Sequence, residues 1–270
     1  GILSFGLRQL AAVEFWARRL DDARIHAAEG LGLGLETGNE NVVLVHHGIL
    51  AAVAAVRGEE RTCRDEAEAA LLGAIDRSNR DAMNWADLAL GHLDLSLGRP
   101  EASERLESIW ARPWIGEPRL IGAADAVEAA TRAGRGEVAR ARLTELQRWA
   151  AETGASWALP LVERCRALVS TDADAERHFQ QALLLHKASG AAFDRARTQL
   201  LFGEFLRRAR RRTEARTQLR PALETFAGVR AALWEERARN ELRATGGVVR
   251  HRDPEAIWQL TPQELQIARL

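Results

Sequence analysis

The fold is decided by the stretch WADLALGHLDLSLGRPEA, residues 85–102. From Trp85 to Leu95 the apolar residues recur three and four positions apart, which is the spacing of one face of an α-helix. Gly98 and Pro100 then end that helix, and a second helical pattern follows at once. The stretch therefore predicts two helices joined by a tight turn.

The same pattern recurs along the chain: a helix, a Gly or Arg turn, a small residue near the start of the next helix, and that second helix. The small anchor residues are, in chain order, Ala23, Thr62, Ala102, Val138, Ala175 and Ala215. Their intervals are 39, 40, 36, 37 and 40 residues, and hardly any stretch alternates as a strand would. Helical hairpins repeating at such a period stack and bury a continuous apolar seam. We predict an all-α solenoid of about six to seven tetratricopeptide-like hairpins, slightly longer than the usual repeat of about 34 residues.

Composition excludes several other classes of protein. The 270 residues carry a formal net charge of zero, which gives no overall reason to expect a nucleic-acid or membrane-surface binder. The only cysteines, Cys63 and Cys165, form no metal-binding or redox motif, so we expect buried free thiols in a reducing cytosol. No leader opens the chain, and the longest apolar run, 48–56, is less than half of the ~20 residues that cross a bilayer. We expect a cytoplasmic protein without a membrane segment.

The repeat pattern breaks after Gly246 and Gly247. The chain is therefore predicted to divide into a solenoid over 1–247, a linker over 248–260 and the start of a helix over 261–270. The last residues read LTPQELQIARL. Thr261 suits the N-cap, Pro262 suits the first helical position, and Glu264 completes a capping box. We expect the chain to be an excerpt, because its last residue falls within this helical pattern.

The motif LTPQE at 260–264, followed by Ile267 and Leu270, resembles the opening of the LuxR-type helix-turn-helix domain. That domain often begins Leu-Thr-Pro-x-Glu-x-x-(Ile/Val)-Leu-x-Leu. This chain departs from the pattern at Ala268, where the pattern has Leu directly after Ile or Val. The preceding solenoid is similar to the C-terminal half of large ATP-binding, maltose-activator-like members of this family. The resemblance implies a sensor region that lies between a nucleotide-binding module upstream and a DNA-binding domain downstream.

The resemblance also implies what this chain lacks. No cofactor is expected in it, because any ATP site would lie upstream of Gly1. A helix-turn-helix reads base edges with its second helix, which would lie beyond Leu270. DNA would therefore be bound only through the missing domain, and this chain alone is not expected to bind DNA specifically.

Effector contacts are predicted on the first helices of the hairpins, because solenoids present those helices along a concave surface. Tryptophan faces stack on sugars or apolar effectors, whereas charged side chains orient polar groups. The candidate ligand-binding residues, which hold roughly equivalent places in three successive units, are Trp85, His92, Asp125, Glu128, Trp157 and Arg164. Core packing is the alternative for each, and it is our interpretation for three other tryptophans, Trp16, Trp149 and Trp234.

Other patterns lack the spacing that their chemistry needs. Gly30–Gly34 does not match a phosphate-binding loop and predicts an irregular helix end. His46 and His47 point about 100° apart on a helix and cannot chelate one ion together. Five arginines within 207–212 indicate either a solvated turn or a contact for an anion or the DNA-binding domain. We find no catalytic or metal motif, and we predict that the protein is not an enzyme.

Two functions remain in view. The first is the sensor and signal-relay domain of a LuxR-type regulator, which binds a small-molecule effector or a protein partner on its concave face. The second is a general tetratricopeptide-like scaffold for protein–protein interactions, in which the terminal helix motif is coincidental. The next residues of the native gene would separate them.

Overall fold

The computed structural model describes residues 2–112, 116–189 and 191–246. Within these residues the chain forms fourteen α-helices, one short 3₁₀ helix at Ser156–Ala158 and no strand. The helices are α1 Ile2–Trp16, α2 Leu20–Glu36, α3 Glu40–Arg57, α4 Glu60–Asp76, α5 Arg80–Ser96, α6 Ala102–Ala111, α7 Glu117–Ile121, α8 Ala123–Arg132, α9 Gly136–Thr153, α10 Leu159–Val169, α11 Asp172–Ser189, α12 Ala192–Arg208, α13 Arg212–Gly228 and α14 Ala232–Ala244. Predicted parts 248–260 and 261–270 lie outside the described residues.

Successive helices pack in pairs, which confirms the all-α solenoid of helical hairpins. The six hairpins are α1–α2, α3–α4, α5–α6, α8–α9, α10–α11 and α12–α13, and α14, the last described helix, has the place of the first helix of a seventh unit. The short α7 precedes α8 and has no equivalent in the other units.

The turn between the two helices of a hairpin repeats one backbone feature. Gly58 and Gly98 adopt left-handed φ values of 80° and 72° directly after the first helix. Arg18 and Arg210 hold the same conformation, with φ of 59° and 61°. A residue with a Cβ pays about 1 kcal/mol or more for that conformation, so glycine is the less strained choice. This backbone requirement explains the glycines in these turns, whereas Arg18 and Arg210 adopt the same conformation at that cost.

The small anchor residues confirm the repeat but correct its register in two units. The anchors that are buried as predicted are Ala23, Ala102, Ala175 and Ala215. Thr62, however, is exposed while Cys63 is fully buried, and Val138 is half-buried while Ala139 is fully buried. One residue corresponds to about 100° of rotation, so the predicted anchors lie beside the contact face. The corrected intervals are 40, 39, 37, 36 and 40 residues.

First and second helices differ in how much of their surface is covered. All of residues 84–96 in α5 are buried, so this helix is surrounded on every side. The second helix α4, in contrast, buries a single stripe at Cys63, Ala67, Ala70 and Ala74. First helices therefore lie in the interior of the solenoid, and second helices form its outer layer.

The glycine-rich segment of α2 is a helix-packing surface, so the expected irregular helix end is wrong. Gly30 lies inside α2, and a Cβ there would stand 2.2 Å from the His46 ring on α3. A Cβ at Gly34 would stand 2.7 Å from Val43 Cγ2. These two glycines let α2 approach α3 closely, whereas Gly32 has nothing within 4 Å of its Cβ position.

Among the described residues, α3 is the one helix that is long and apolar enough to span a membrane. About three quarters of it (72%) is buried inside the protein, against α2, α4 and α5. This burial is typical of a core helix. Both cysteines are also buried free thiols, as predicted, and burial raises the pKa of each to about 12.

Candidate functional site

Charged side chains gather in the interior of the solenoid, where α5, α8 and α12 face α14 and α10 contacts α12. We call this cluster the ionic core and define it by His92, Asp125, Glu128, Arg132, Arg164, Asp194, Arg197, Glu204, Trp234 and Arg237. Four of the six predicted site residues belong to it: His92, Asp125, Glu128 and Arg164. The first helices bring them together, as the concave-surface argument expected, but none is open to solvent.

Arg197 of α12 is the centre of the ionic core and is fully buried. Its Nη1 lies 2.8 Å from Asp125 Oδ1, and its Nη2 lies 2.5 Å from Glu128 Oε2. The two carboxylates are three positions apart on α8 and so share one face of that helix. Burial favours the neutral acids, yet the Arg197 charge outweighs it and holds the pKa of Asp125 and of Glu128 below the usual range. The guanidinium carbon also stands 4.0 Å from the centre of the Trp234 ring, a cation–π contact.

His92 links α8 to α14 through two hydrogen bonds that determine which ring nitrogen carries the proton. Trp234 Nε1–H donates to His92 Nε2 at 3.2 Å, and His92 Nδ1 lies 3.0 Å from Asp125 Oδ2. Because an indole N–H only donates, Nε2 must be the unprotonated nitrogen, and Nδ1–H donates to the carboxylate. Burial lowers the pKa of His92, although the Asp125 hydrogen bond acts in the opposite direction. The ring is therefore neutral at pH 7.

Two arginines and two glutamates from three helices complete this side of the core. Arg237 of α14 lies 2.7 Å from Glu204 and 3.3 Å from Glu128. Arg132 of α8 makes the same two contacts, at 2.9 Å and 3.1 Å. Glu204 thus faces two arginines and Glu128, which also pairs with Arg197, faces three; in each case one of them comes from α14. Breaking a buried pair by removing one partner typically costs about 3–5 kcal/mol, so α14 is held in place by charge as well as by apolar packing.

The opposite corner of the core is more loosely paired. Arg164 is 1% exposed, yet its Nη1 lies 3.4 Å from the Asp194 carbonyl oxygen and 3.7 Å from Asp194 Oδ1. Its Nε has no hydrogen-bond partner in the part of the chain that the structure describes. Arg18, at the end of α1, lies 3.9 Å from Asp194 and 4.8 Å from the centre of the Phe193 ring. The first hairpin is thereby connected to the sixth across the interior.

The two predicted tryptophans lie away from the ionic core. Trp85 is fully buried and packs edge-on against Phe15, with ring centres 5.6 Å apart. Trp157 is half-buried between Trp16 and Trp149, at 4.8 Å and 5.3 Å. The structure therefore does not bring all six predicted residues to one surface. Effector binding by any of them stays a prediction.

The arginine-rich segment is a turn, with α12 ending at Arg208 and α13 beginning at Arg212. Arg207 pairs with Glu241 of α14, and Arg211 lies 2.6 Å from Glu176 of α11. Two of the five arginines thus connect neighbouring hairpins, and the other three are exposed. A contact with an anion or with a DNA-binding domain stays a prediction.

The adjacent histidines face different neighbours. His46 Nε2 lies 3.1 Å from the Ser4 carbonyl oxygen, and His47 Nδ1 lies 2.7 Å from Glu66 Oε2. In the part of the chain that the structure describes, no three His, Cys, Asp or Glu residues are placed to hold a metal ion.

The sequence analysis missed Arg197, Glu204 and Arg237, which carry most of the pairing in the core. Arg197 is 69 positions from Glu128, and Arg237 is 109 positions from it. A feature within α12 points to two of them. This helix carries Arg197 and Glu204, and all of its residues from 196 to 206 are buried. Charges inside a buried helix require partners.

No protein-family model matches this chain, and no curated protein sequence matches it either. Its function is therefore argued from the ionic core and from the sequence motif at 260–270.

Proposed function

We propose that this chain is the cytoplasmic sensor and signal-relay domain of a LuxR-type transcriptional regulator. The observation that supports it is the position of α14. One face of this helix packs against the first helices through Trp234 and Arg237, and it is the last described helix before the LTPQE motif at 260–264. A helix so placed can couple the state of the solenoid to a domain that follows it.

In this proposal, α14 covers the binding groups of the concave face when no effector is bound. The Trp234 indole N–H donates to His92 Nε2, and the Arg237 guanidinium pairs with Glu128. A small-molecule effector or a protein partner that binds those groups competes with α14. Such a ligand shifts the population only if it binds the released state more tightly. A shift from 1:99 to 99:1 needs about 5.5 kcal/mol of preference, comparable to the loss of one or two buried ion pairs.

The experiment uses the protein encoded by the native gene, with and without one substitution on α14. Full-length protein is incubated with a random double-stranded DNA library, and bound sequences are selected and counted. The proposal expects enrichment of one sequence family by the full-length protein and none by the 270-residue chain.

Arg237→Met and Arg243→Met form a matched pair on the same helix. Arg237 faces Glu128 and Glu204, whereas Arg243 is 57% exposed and, among the described residues, pairs only with Glu236 and Asn240 of α14 itself. Arg237→Met is expected to raise effector-independent DNA binding several-fold, and Arg243→Met is expected to leave it unchanged. If the full-length protein enriches no sequence, the regulator proposal fails and the general scaffold takes its place.

A further inference from the structure

Positive charge is concentrated towards the end of the solenoid, although the whole chain is neutral. Residues 201–246 hold 11 arginines and 6 acidic residues, whereas residues 1–100 hold 10 arginines and 15 acidic residues. The two ends of the solenoid therefore carry net charges of opposite sign. The formal net charge of zero conceals a strongly basic part of the chain.

Much of this charge lies on the surface of the sixth hairpin, around the turn between α12 and α13. Five arginines in this region have no acidic ion-pair partner among the described residues, and we call them the basic stripe: Arg208, Arg210, Arg212, Arg216 and Arg220. Arg216 is half-buried and the other four are exposed. Between 2 and 207, described arginines without an acidic partner are scattered singly, at Arg24, Arg80, Arg135, Arg140 and Arg195. The basic stripe is therefore a local accumulation of charge.

The nearby glutamates do not neutralise the basic stripe. Arg207 pairs with Glu241, and Arg211 pairs with both Glu176 and Glu214. The stripe together with Arg207 and Arg211 makes seven arginines, which exceed these three glutamates by four positive charges. Glu224, one helical turn beyond Arg220, is an exposed acid at the far end of the stripe.

A rigid helix sets the spacing of the charges. Arg212, Arg216 and Arg220 follow one another at intervals of four residues and so lie along one face of α13. Four residues of α-helix rise about 6 Å, so the three positions span about 12 Å. One strand of a DNA duplex carries a phosphate every ~3.4 Å of its axis. The stripe is therefore long enough to face about three or four phosphates.

The composition of this surface favours a phosphate backbone over an acidic protein. Protein interfaces have an apolar centre, yet no large apolar side chain is exposed within 191–246, and those that are exposed lie between Ile2 and Leu184. All five charges of the stripe are guanidiniums, which bind phosphate oxygens through two parallel N–H donors. Such contacts hold a backbone and carry no information about base sequence.

We propose that the basic stripe binds the phosphate backbone of double-stranded nucleic acid without reading its sequence. The guanidiniums displace the condensed counterions of the phosphates, and the release of these ions drives binding. The stripe uses no residue of the ionic core and needs no movement of α14. It therefore stands or falls independently of the proposed regulator function, in which the missing domain reads the sequence.

The test is fluorescence anisotropy of a labelled 24-base-pair DNA duplex titrated with the 270-residue chain between 50 and 200 mM NaCl. Each phosphate contact contributes a slope of about −0.9 to log K against log salt, so about four contacts predict a slope of roughly −3 to −4. A second duplex of unrelated sequence is expected to bind equally. No binding at 50 mM NaCl, or a slope close to zero, overturns the proposal.

A competitor separates the phosphate backbone from an acidic protein. Poly-L-glutamate with the same number of charges as the duplex is expected to compete at least about 10-fold less well than unlabelled duplex, because single carboxylates on a flexible chain are a poorer match for the ordered guanidiniums. Equal or better competition by poly-L-glutamate assigns the surface to an acidic polypeptide and overturns the proposal.

Two triple variants remove the same charge from different places. Arg208→Gln with Arg212→Gln and Arg220→Gln is expected to weaken duplex binding at least about 10-fold and to make the salt slope shallower by about 2–3. The control, Arg24→Gln with Arg80→Gln and Arg140→Gln, removes three exposed arginines that also lack acidic partners. The control is expected to bind as the wild type does, and both variants should keep the wild-type circular dichroism because all six side chains are exposed. Equal losses in the two variants would mean that only the overall charge matters, which contradicts a site on the stripe.

Discussion

Replacing Arg197 by methionine tests the ionic core most sharply. Methionine keeps much of the aliphatic volume and removes the charge that faces Asp125 and Glu128. Glu128 retains Arg132 and Arg237, so the unpaired charge falls mainly on Asp125. The variant also loses the cation–π contact with the fully buried Trp234 ring.

The expected loss is about 4 kcal/mol of unfolding free energy, the middle of the range for removing one partner of a buried ion pair. For a chain of this size, that loss corresponds to a fall in melting temperature of roughly 10 °C. The assay is urea unfolding at pH 7.5, followed by circular dichroism at 222 nm. The second substitution Asp125→Asn removes the stranded charge, so Arg197→Met with Asp125→Asn is expected to recover about half of the loss. A double-mutant cycle measures this coupling.

The pH dependence of the unfolding free energy gives an independent test of the same ion pair. In the wild type the folded pKa of Asp125 lies below its unfolded value. Its stabilising contribution is therefore complete above about pH 4 and is lost as the pH falls towards the folded pKa. Without Arg197, burial raises the pKa of Asp125 instead, so protonation stabilises the variant as the pH falls from 7 to 5. A loss below about 1 kcal/mol, or no recovery by Asp125→Asn, would refute a central role for this ion pair.

Four further outcomes are expected. Gly30→Ala places a methyl 2.2 Å from the His46 ring and should lower the unfolding free energy by about 2 kcal/mol. The control Gly32→Ala, which has open space, should raise the unfolding free energy by ~0.5–1 kcal/mol. Similar melting temperatures for the two variants would be inconsistent with the packing of α2 on α3. Arg210→Gly relieves a left-handed φ of 61° and should stabilise by about 1 kcal/mol in thermal unfolding, and destabilisation would argue against that backbone. Ala215→Trp overpacks a fully buried contact and should destabilise by about 3 kcal/mol; an unchanged melting temperature would refute the repeat register. Burial lowers the pKa of His46 to about 4, so the stability that neutral His46 contributes above pH 6.5 is lost as the pH falls towards 4, at up to ~1.4 kcal/mol per pH unit. His46→Gln should therefore reduce the slope of unfolding free energy against pH in this range. Identical slopes for the variant and the wild type would exclude this role of His46.

The hairpin architecture was predictable because its determinants are local. A left-handed residue such as Gly98 ends the first helix, and a small residue such as Ala102 follows where the second helix packs against its neighbours. Each signal lies within a few residues and recurs at nearly constant intervals. The slip from Cys63 to Thr62 arose because both residues are small and adjacent. Only packing shows which of the two faces the core.

The ionic core was predictable only in part. His92 and Asp125 follow from the expectation that first helices face the interior, and the structure places them 3.0 Å apart. Their cation, Arg197, comes from a helix much later in the chain, and the Trp234 indole is 142 positions from His92. Such pairs depend on how far the solenoid curves, which accumulates from small rotations between units and has no local signature. The candidate residues His92, Asp125 and Glu128 are buried for that reason, because α14, the last described helix, covers them.

One face of α14, at Trp234, Ala238 and Leu242, is docked on the first helices of the solenoid, so the helix is not free at the end of the solenoid. Hydrogen exchange of the 270-residue chain, measured on peptides from 232–244 and from 84–96, tests it directly. We expect amides of α14 to be protected nearly as strongly as those of α5, and Arg237→Met to weaken the protection of α14 selectively. Exchange of α14 within seconds in the wild type, while α5 stays protected, would contradict it.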